Sequence, residues 1–474
     1  MGLALAFLIF TVGIAGLFYL DRDKNARNAK ALWLPVIWLW IVGSRPASMW
    51  IALWFGIGAP GGPQGLDAQL DGSPADALFF MVLLAAAIVV LAKRKRATIS
   101  LLKACSPLLV FLAYCLASCL WSPFPSVAFK RWIKDVGDLA MVLVITTDHE
   151  PIKALHKIFS RVGFILLPYS IFLIRYSILG RGFAPDGSAM NTGVTTNKNS
   201  LGLIAFTVSL GAVWNCFSLL RAKKSRIRGR QLISQLVLVG FGVTVLQQAH
   251  SATSISCFIL GSFLITATNL SFFRLHRKQV HALFLGIVFL GAGTIFLGGE
   301  GTVVKALGRK PNLSDRTTIW KDVIPICPNP VLGAGFESFW NGYGKYVTEG
   351  LSIYERGLNS AHNGYIEVYL NLGLTGLVLI GVLLFSGYQR ATSAFLRNPE
   401  VGSIMLAFLA ADAIYSITEA GYRILTPTWF SFVLVLIGSR SIASSAREHL
   451  GNADSLMPDK KIKPWLITSR PSWQ

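Results

Sequence analysis

Apolar residues run along this chain in blocks about as long as a bilayer is thick, separated by short polar stretches rich in Lys and Arg. A hydrocarbon core of roughly 30 Å takes about 20 helical residues to cross. Blocks of this kind lie at 2–20, 31–55, 77–92, 104–121, 136–147, 160–176, 199–220, 231–248, 252–271, 281–298, 362–387, 400–418 and 425–439. The alternation over about 10 residues that marks a membrane β-barrel is missing. The pattern therefore predicts an all-α polytopic integral membrane protein with 12–13 transmembrane helices. No basic residue precedes the first block and no small-residue cleavage site ends it, so it reads as a helix and not as a secretory signal. The chain divides into the helices of 1–298, a large outer loop over 299–361, C-terminal helices over 362–439 and a tail over 440–474.

Composition agrees with the pattern. Of 474 residues, 53% are hydrophobic and only 14% charged, with a mean hydropathy of +0.55, where soluble domains carry roughly 25% charged residues. The connecting segments on one side hold 29 Lys and Arg and those on the other hold 14, which predicts an N-terminus outside and a C-terminus inside. The net charge of +21 does not imply nucleic acid: the clusters "KRKR" (93–96) and "RAKKSRIRGR" (221–230) lie between spans with no domain to present them. They read as topology signals that meet anionic lipid. Five of the six cysteines lie within spans and Cys327 on the outer loop, so they read as small packing residues without a disulfide framework.

Candidate chemistry gathers on the outer side. Arg45, in "IVGSRPASMW", falls inside a span, where an ionised side chain is costly unless it faces a polar cavity or a partner; the plain alternative is an arginine that snorkels to the headgroups. The long loop contains "SDRTTIW" (314–320), in which Ser314 or Asp315 can cap a short helix carrying Arg316 and Trp320. Two shorter outer stretches, 121–138 and 180–202, contribute Lys130, Arg131, Lys134, Arg181, Lys198 and Asn199. At the end of the long loop, "SAHNGYIEVYLNLGLTG" (360–376) places His362 at the mouth of an apolar run. With Ser360 as cap, His362 falls in the first helical turn, where the dipole favours a neutral ring suited to a general base. Asn363 and Glu367, four apart, share a face. Arginines suit phosphate oxygens, which they bind in a bidentate way, so this set of cations points to a phosphate-bearing lipid head. An Asp-x-Asp pair on the outer loops, metal-type Cys or His spacing and a Walker-type loop are all missing, so neither metal nor cofactor is expected.

With these motifs the sequence resembles the O-antigen ligase and Wzy-type polysaccharide polymerase superfamily, in its exopolysaccharide-production branch. The resemblance runs through "WIVGSRPASMW" (40–50), "WSPFPSVAFKRW" (121–132), "TGVTTNKNSLG" (192–202), "SDRTTIW" (314–320), "LGAGFESFW" (332–340) and "HNGYIEVYLNLGLTGL" (362–377). It implies a GT-C-like, metal-independent inverting glycosyltransferase of the bacterial inner membrane. Such an enzyme acts at the periplasmic face on an undecaprenyl-diphosphate-linked glycan donor and a glycan acceptor. His362 matches the family's base and Arg316 its loop arginine, while Arg45, Arg131, Arg181 and Lys198 match its basic motif positions; these four, with Asn199, Asn363 and Glu367, are the expected substrate-binding residues. A flippase and a chain-length regulator are the implied partners. One departure stands out: where members of that superfamily often carry Ser-Arg or Ser-Lys followed by Thr at the start of the ninth span, this chain reads "QQAHSATSIS" (247–256), with Ala252 at the cation's place and His250 nearby.

Three functions are compatible with the motifs. A polymerase joins repeat units, a ligase moves a finished glycan to lipid A core or another acceptor, and a transporter uses basic cavities without a base. A transporter of the common type has two related halves with interrupted spans; no such repeat is evident, and the single long outer loop favours an enzyme.

Overall fold

In the computed structural model, residues 2–23, 29–56, 72–183, 187–269, 277–297, 313–341 and 359–439 are described. The C-terminal tail and much of the long outer loop lie outside them. The chain is a bundle of long helices with a single small hairpin among the described residues, Arg181–Phe183 paired antiparallel with Ala189–Asn191. In chain order the helices are α1 Leu3–Asp21, α2 Trp33–Val42, α3 Ala47–Phe55, α4 Pro74–Lys93, α5 Lys95–Ala104, α6 Ser106–Ser118, α7 Pro125–Thr146, α8 Pro151–Tyr176 and α9 Lys198–Arg221. They continue with α10 Arg226–Ala249, α11 Ala252–Asn269, α12 Arg277–Leu297, α13 Leu313–Val323, α14 Gly364–Arg397, α15 Pro399–Thr418 and α16 Pro427–Ser439. Eight of them are long and apolar enough to cross a membrane, or ten crossings when the bent pairs α2/α3 and α5/α6 each count as one. Shorter apolar helices, Lys278–Gly293 within α12 and Pro427–Ser439, add to these.

Helix starts follow ordinary capping chemistry. Asn197 accepts from Ser200 N at 2.8 Å to open α9, and Asn398 accepts from Glu400 N at 3.0 Å to open α15. Ser73 and Asp76 form a reciprocal capping box on α4 with Pro74 in the first turn. Helices α8, α9 and α15 are buried along most of their length, whereas α1 and α4 are mainly exposed and bear the apolar surface that faces lipid.

Four details depart from the sequence pattern. The block 31–55 is two helices meeting at 82°, with Ser44, Arg45 and Pro46 at the corner; proline withholds a backbone donor there. The stretch 121–138 is not an outer loop, because α7 already begins at Pro125 and buries Arg131, Lys134, Asp135 and Asp138. Its carboxylates serve packing: Asp135 accepts from Trp429 Nε1 at 2.6 Å, and Asp138 from Trp38 Nε1 at 2.7 Å and Leu425 N at 3.1 Å. Helix α14 does not start from a Ser360 cap. Asn363 caps it, accepting from Tyr365 N at 2.9 Å and Ile366 N at 3.1 Å, so His362 precedes the helix with a left-handed φ of 48°.

Finally, α14 is broken at Gly373, where φ is 66° and ψ is −163°. Main-chain groups released by the break are recovered by the segment 330–335. Ala334 N donates to Leu370 O at 2.9 Å and Gly335 N to Asn371 O at 2.8 Å, while Leu374 N donates to Pro330 O at 2.8 Å and Thr375 N to Val331 O at 3.2 Å. A Cβ at Gly373 would lie 2.2 Å from the Val331 carbonyl carbon, and one at Gly333 would lie 2.4 Å from that of Asn371. The glycines of "LGAGFESFW" and "LNLGLTG" thus let two backbones meet. This clasp holds the described part of the outer loop against the helix that follows His362.

Candidate functional site

The C-terminal end of α15 is where the outer residues converge. Asn199, in the first turn of α9, donates from Nδ2 to Glu419 Oε1 at 3.0 Å. Arg316, on α13, donates to the same oxygen at 2.7 Å. His362 Nδ1 meets Glu419 Oε2 at 3.2 Å. Next to this carboxylate, Thr418 Oγ1 and Thr253 Oγ1 of α11 are 2.8 Å apart, and Asn363 Nδ2 donates to Ile417 O at 3.0 Å. Four helix N-terminal regions, those of α9, α11, α13 and α14, therefore surround one helix C-terminus. N-terminal ends carry partial positive charge, so the place is electropositive apart from Glu419.

Glu419 is the residue that the sequence reading missed. Its side chain is 7% exposed, whereas Arg316 is 25% and His362 36% exposed. Burial alone would raise its pKa, but Arg316 beside it and the hydrogen bond from His362 outweigh that and hold it below the ordinary carboxylate value. An ionised carboxylate only accepts hydrogen bonds, so Nδ1 of His362 is the donor to it, and in the neutral ring Nε2 is then the acceptor. The partly exposed imidazole is oriented by a buried carboxylate, an arrangement familiar from hydrolytic triads.

The His362 turn is fixed from both sides. Glu367, buried in the first turn of α14, accepts from Ala361 N and from Trp340 Nε1 at 2.9 and 3.1 Å. Trp320 Nε1, one turn beyond Arg316, donates to Ala361 O at 2.8 Å. His362 N donates to Ser360 Oγ at 3.1 Å. Glu367 and Asn363 therefore shape the turn: one binds the residue before His362 and the other caps the helix after it. A second unforeseen residue, the cation Arg423, is buried and donates to Glu337 Oε2 at 3.0 Å and Asn359 O at 2.9 Å, tying the loop after α15 to the same turn.

The remaining sequence candidates are placed as follows. Lys198 is half-buried at the first position of α9, beside Asn199. Arg45 donates to Gly193 O at 2.8 Å and to Leu179 O, and lies over the Trp50 ring at 5.8 Å, so it pins the connection between α8 and α9. Arg181 donates to Ile174 O at 2.7 Å and Arg175 O at 3.3 Å. Arg131, buried on α7, donates to Glu337 O and to Asn341 Oδ1 at 3.2 Å. Arg316 is thus the predicted arginine that meets the partner of His362, while those three bind main-chain carbonyls that hold the outer connections. His250 ends α10 in a left-handed conformation, two residues before Ala252, the first residue of α11. The cap proposed at Ser314 or Asp315 rests on side chains outside those described, although the helix itself is present as α13.

Comparison with known proteins adds two findings. Residues 236–381 match the family model described as O-antigen ligase. The chain is also similar to the exopolysaccharide production protein ExoQ of Rhizobium meliloti (strain 1021), with 23% identity over 329 residues, 67% of this chain and 72% of that protein. The family match contains Arg316, His362 and the break at Gly373, while Asn199 and Glu419 lie outside its limits.

Proposed function

Taking as premise a polytopic membrane protein whose residues 236–381 match the O-antigen ligase family model, we propose that this chain is a glycosyltransferase that polymerises undecaprenyl-diphosphate-linked oligosaccharide repeat units into exopolysaccharide. It works at the periplasmic face of the bacterial inner membrane. The observation that carries the reading is the joining of His362 and Arg316 through the buried carboxylate of Glu419. In this reading the Nε2 lone pair of His362 takes the proton of an acceptor sugar hydroxyl. The oxygen attacks the anomeric carbon as its bond to the diphosphate breaks, with inversion, and no metal is required. Negative charge then grows on the departing diphosphate. Arg316, Lys198 and the surrounding helix N-termini stabilise that charge more in the transition state than before it. A flippase to deliver the donor and a regulator of chain length are the partners that such an enzyme requires.

A second reading is that of a ligase, favoured by the description of the matching family, while the similarity to an exopolysaccharide production protein favours polymerisation. Purified protein incubated with lipid-linked oligosaccharide, with and without a separate acceptor, distinguishes them by product size. A ladder of repeat units is expected. Transfer of one finished glycan would make the protein a ligase, and intact donor under all conditions would remove the enzymatic reading.

A further inference from the structure

At the opposite end of the bundle lies a cavity of about 650 Å³, walled by the ends of α1, α8, α9, α10 and α15. We propose that it binds a zwitterionic lipid headgroup, one bearing a phosphate and a primary ammonium. The size is in the range of small-molecule sites. Its position at the ends of crossing helices, on the side whose connections carry most of the Lys and Arg, puts it at headgroup depth.

The wall is built and polar. His156 stacks on Trp214 with ring centroids 3.9 Å apart, and its Nε2 meets Glu400 Oε1 at 3.1 Å. Ser218 Oγ donates to the same carboxylate at 2.5 Å. Asn215 Nδ2 donates to Gln235 Oε1 at 3.1 Å, and Gln235 Nε2 donates to Asp21 Oδ1 at 3.1 Å. These bonds link α8, α9, α10, α15 and α1, so the wall is fixed by mutual hydrogen bonds.

Charge of both signs chooses the ligand. Of the charged groups on the wall, Lys153 and Glu150 pair with each other at 2.7 Å, Lys157 lies on one side, and carboxylates of Asp21, Asp23 and Glu400 lie on the others. A purely anionic headgroup would satisfy the lysine but set its charge against three carboxylates. A free cation would leave the lysine opposed. A phosphate joined to an ammonium by a two-carbon spacer meets both, and the ammonium supplies hydrogen bonds that a quaternary amine lacks. The neighbouring α1 is mostly exposed, with Ala6 and Leu17 its only buried residues among those described, so its apolar flank is available to acyl chains.

The test is retention of lipid by the full chain purified from bilayers of defined composition and analysed by native mass spectrometry. Phosphatidylethanolamine should be retained at least tenfold over phosphatidylglycerol and phosphatidylcholine. Lys157→Gln should reduce retention about tenfold with an unchanged melting temperature, and Asp23→Asn provides a second variant at the rim should the first not fold. Equal or greater retention of phosphatidylglycerol, or retention unaffected in both folded variants, would overturn the proposal. Displacement of the lipid by soluble phosphoethanolamine at matched concentration would overturn the bilayer as the source of the ligand.

Discussion

At the scale of single residues, the site depends on a carboxylate that composition and spacing did not single out. Glu419 is 57 positions from His362 and 103 from Arg316, in a short outer connection where one acid carries no pairing information. His362 and Arg316 were legible because each stood in a polar motif where the apolar pattern broke. Loss of the proposed base in His362→Ala should lower transfer by about 10²–10⁴-fold with the protein still folded in membranes; near-normal product length and rate would remove the assignment. Glu419→Gln keeps the shape but removes the charge that orients Nδ1–H, so transfer should fall while His362→Ala/Glu419→Gln is scarcely worse than His362→Ala, since residues that act as a unit are not additive. The same carboxylate gives a pH signature. Its folded pKa is held below the ordinary value, so its contribution to stability is complete above the ordinary carboxylate pKa and is lost as the pH falls through the lowered one. The melting-temperature gap between wild type and Glu419→Gln should therefore be constant near neutrality and shrink in acid; a gap that widened in acid would contradict the arrangement.

At the scale of elements, the apolar blocks found nearly all the helices, because a span needs about 20 apolar residues wherever it lies in the sequence. The breaks were not legible. Residues 31–55 and 362–387 are apolar on both sides of their corners, and hydropathy does not register a change of direction. The start of α7 was missed for the opposite reason: Lys130, Arg131, Lys134, Asp135 and Asp138 resemble a loop until Trp38 and Trp429 are seen to bind the acids. The Gly373 clasp gives a direct test within one helix. Gly373→Ala forces a side chain into a left-handed position and against the Val331 backbone, so a loss of at least about 2 kcal/mol is expected. Gly381→Ala, with open space around the new methyl group, should be neutral or gain up to about 1 kcal/mol. Thermal melts in detergent compare them, and similar behaviour of the two variants would mean that the clasp contributes little. If the clasp also holds the His362 turn in register, Gly373→Ala should slow transfer beyond what its loss of folded protein explains.

At the scale of the whole molecule, the two polar regions sit at opposite ends of shared helices. Helix α9 carries Asn199 at one end and Asn215 at the other, and α15 carries Glu400 at its start with Glu419 just past its end. The proposed chemistry has a defined geometry only if these helices cross the bilayer in the sense that the Lys and Arg asymmetry assigns. All six native cysteines are buried, so single introduced thiols report orientation against a low background. Ile178 is 89% exposed in the connection between α8 and α9, on the His362 side, and Lys224 is exposed between α9 and α10, on the basic side. In intact spheroplasts a membrane-impermeant maleimide should label Ile178→Cys and leave Lys224→Cys untouched until the membrane is permeabilised. The reverse pattern would put His362 on the inner face, where a lipid-linked donor already displayed outside cannot reach it, and would overturn the periplasmic polymerase while leaving the folded site as described. Labelling of both in sealed cells would break the bundle itself, because helix α9, which joins them, would no longer span the membrane.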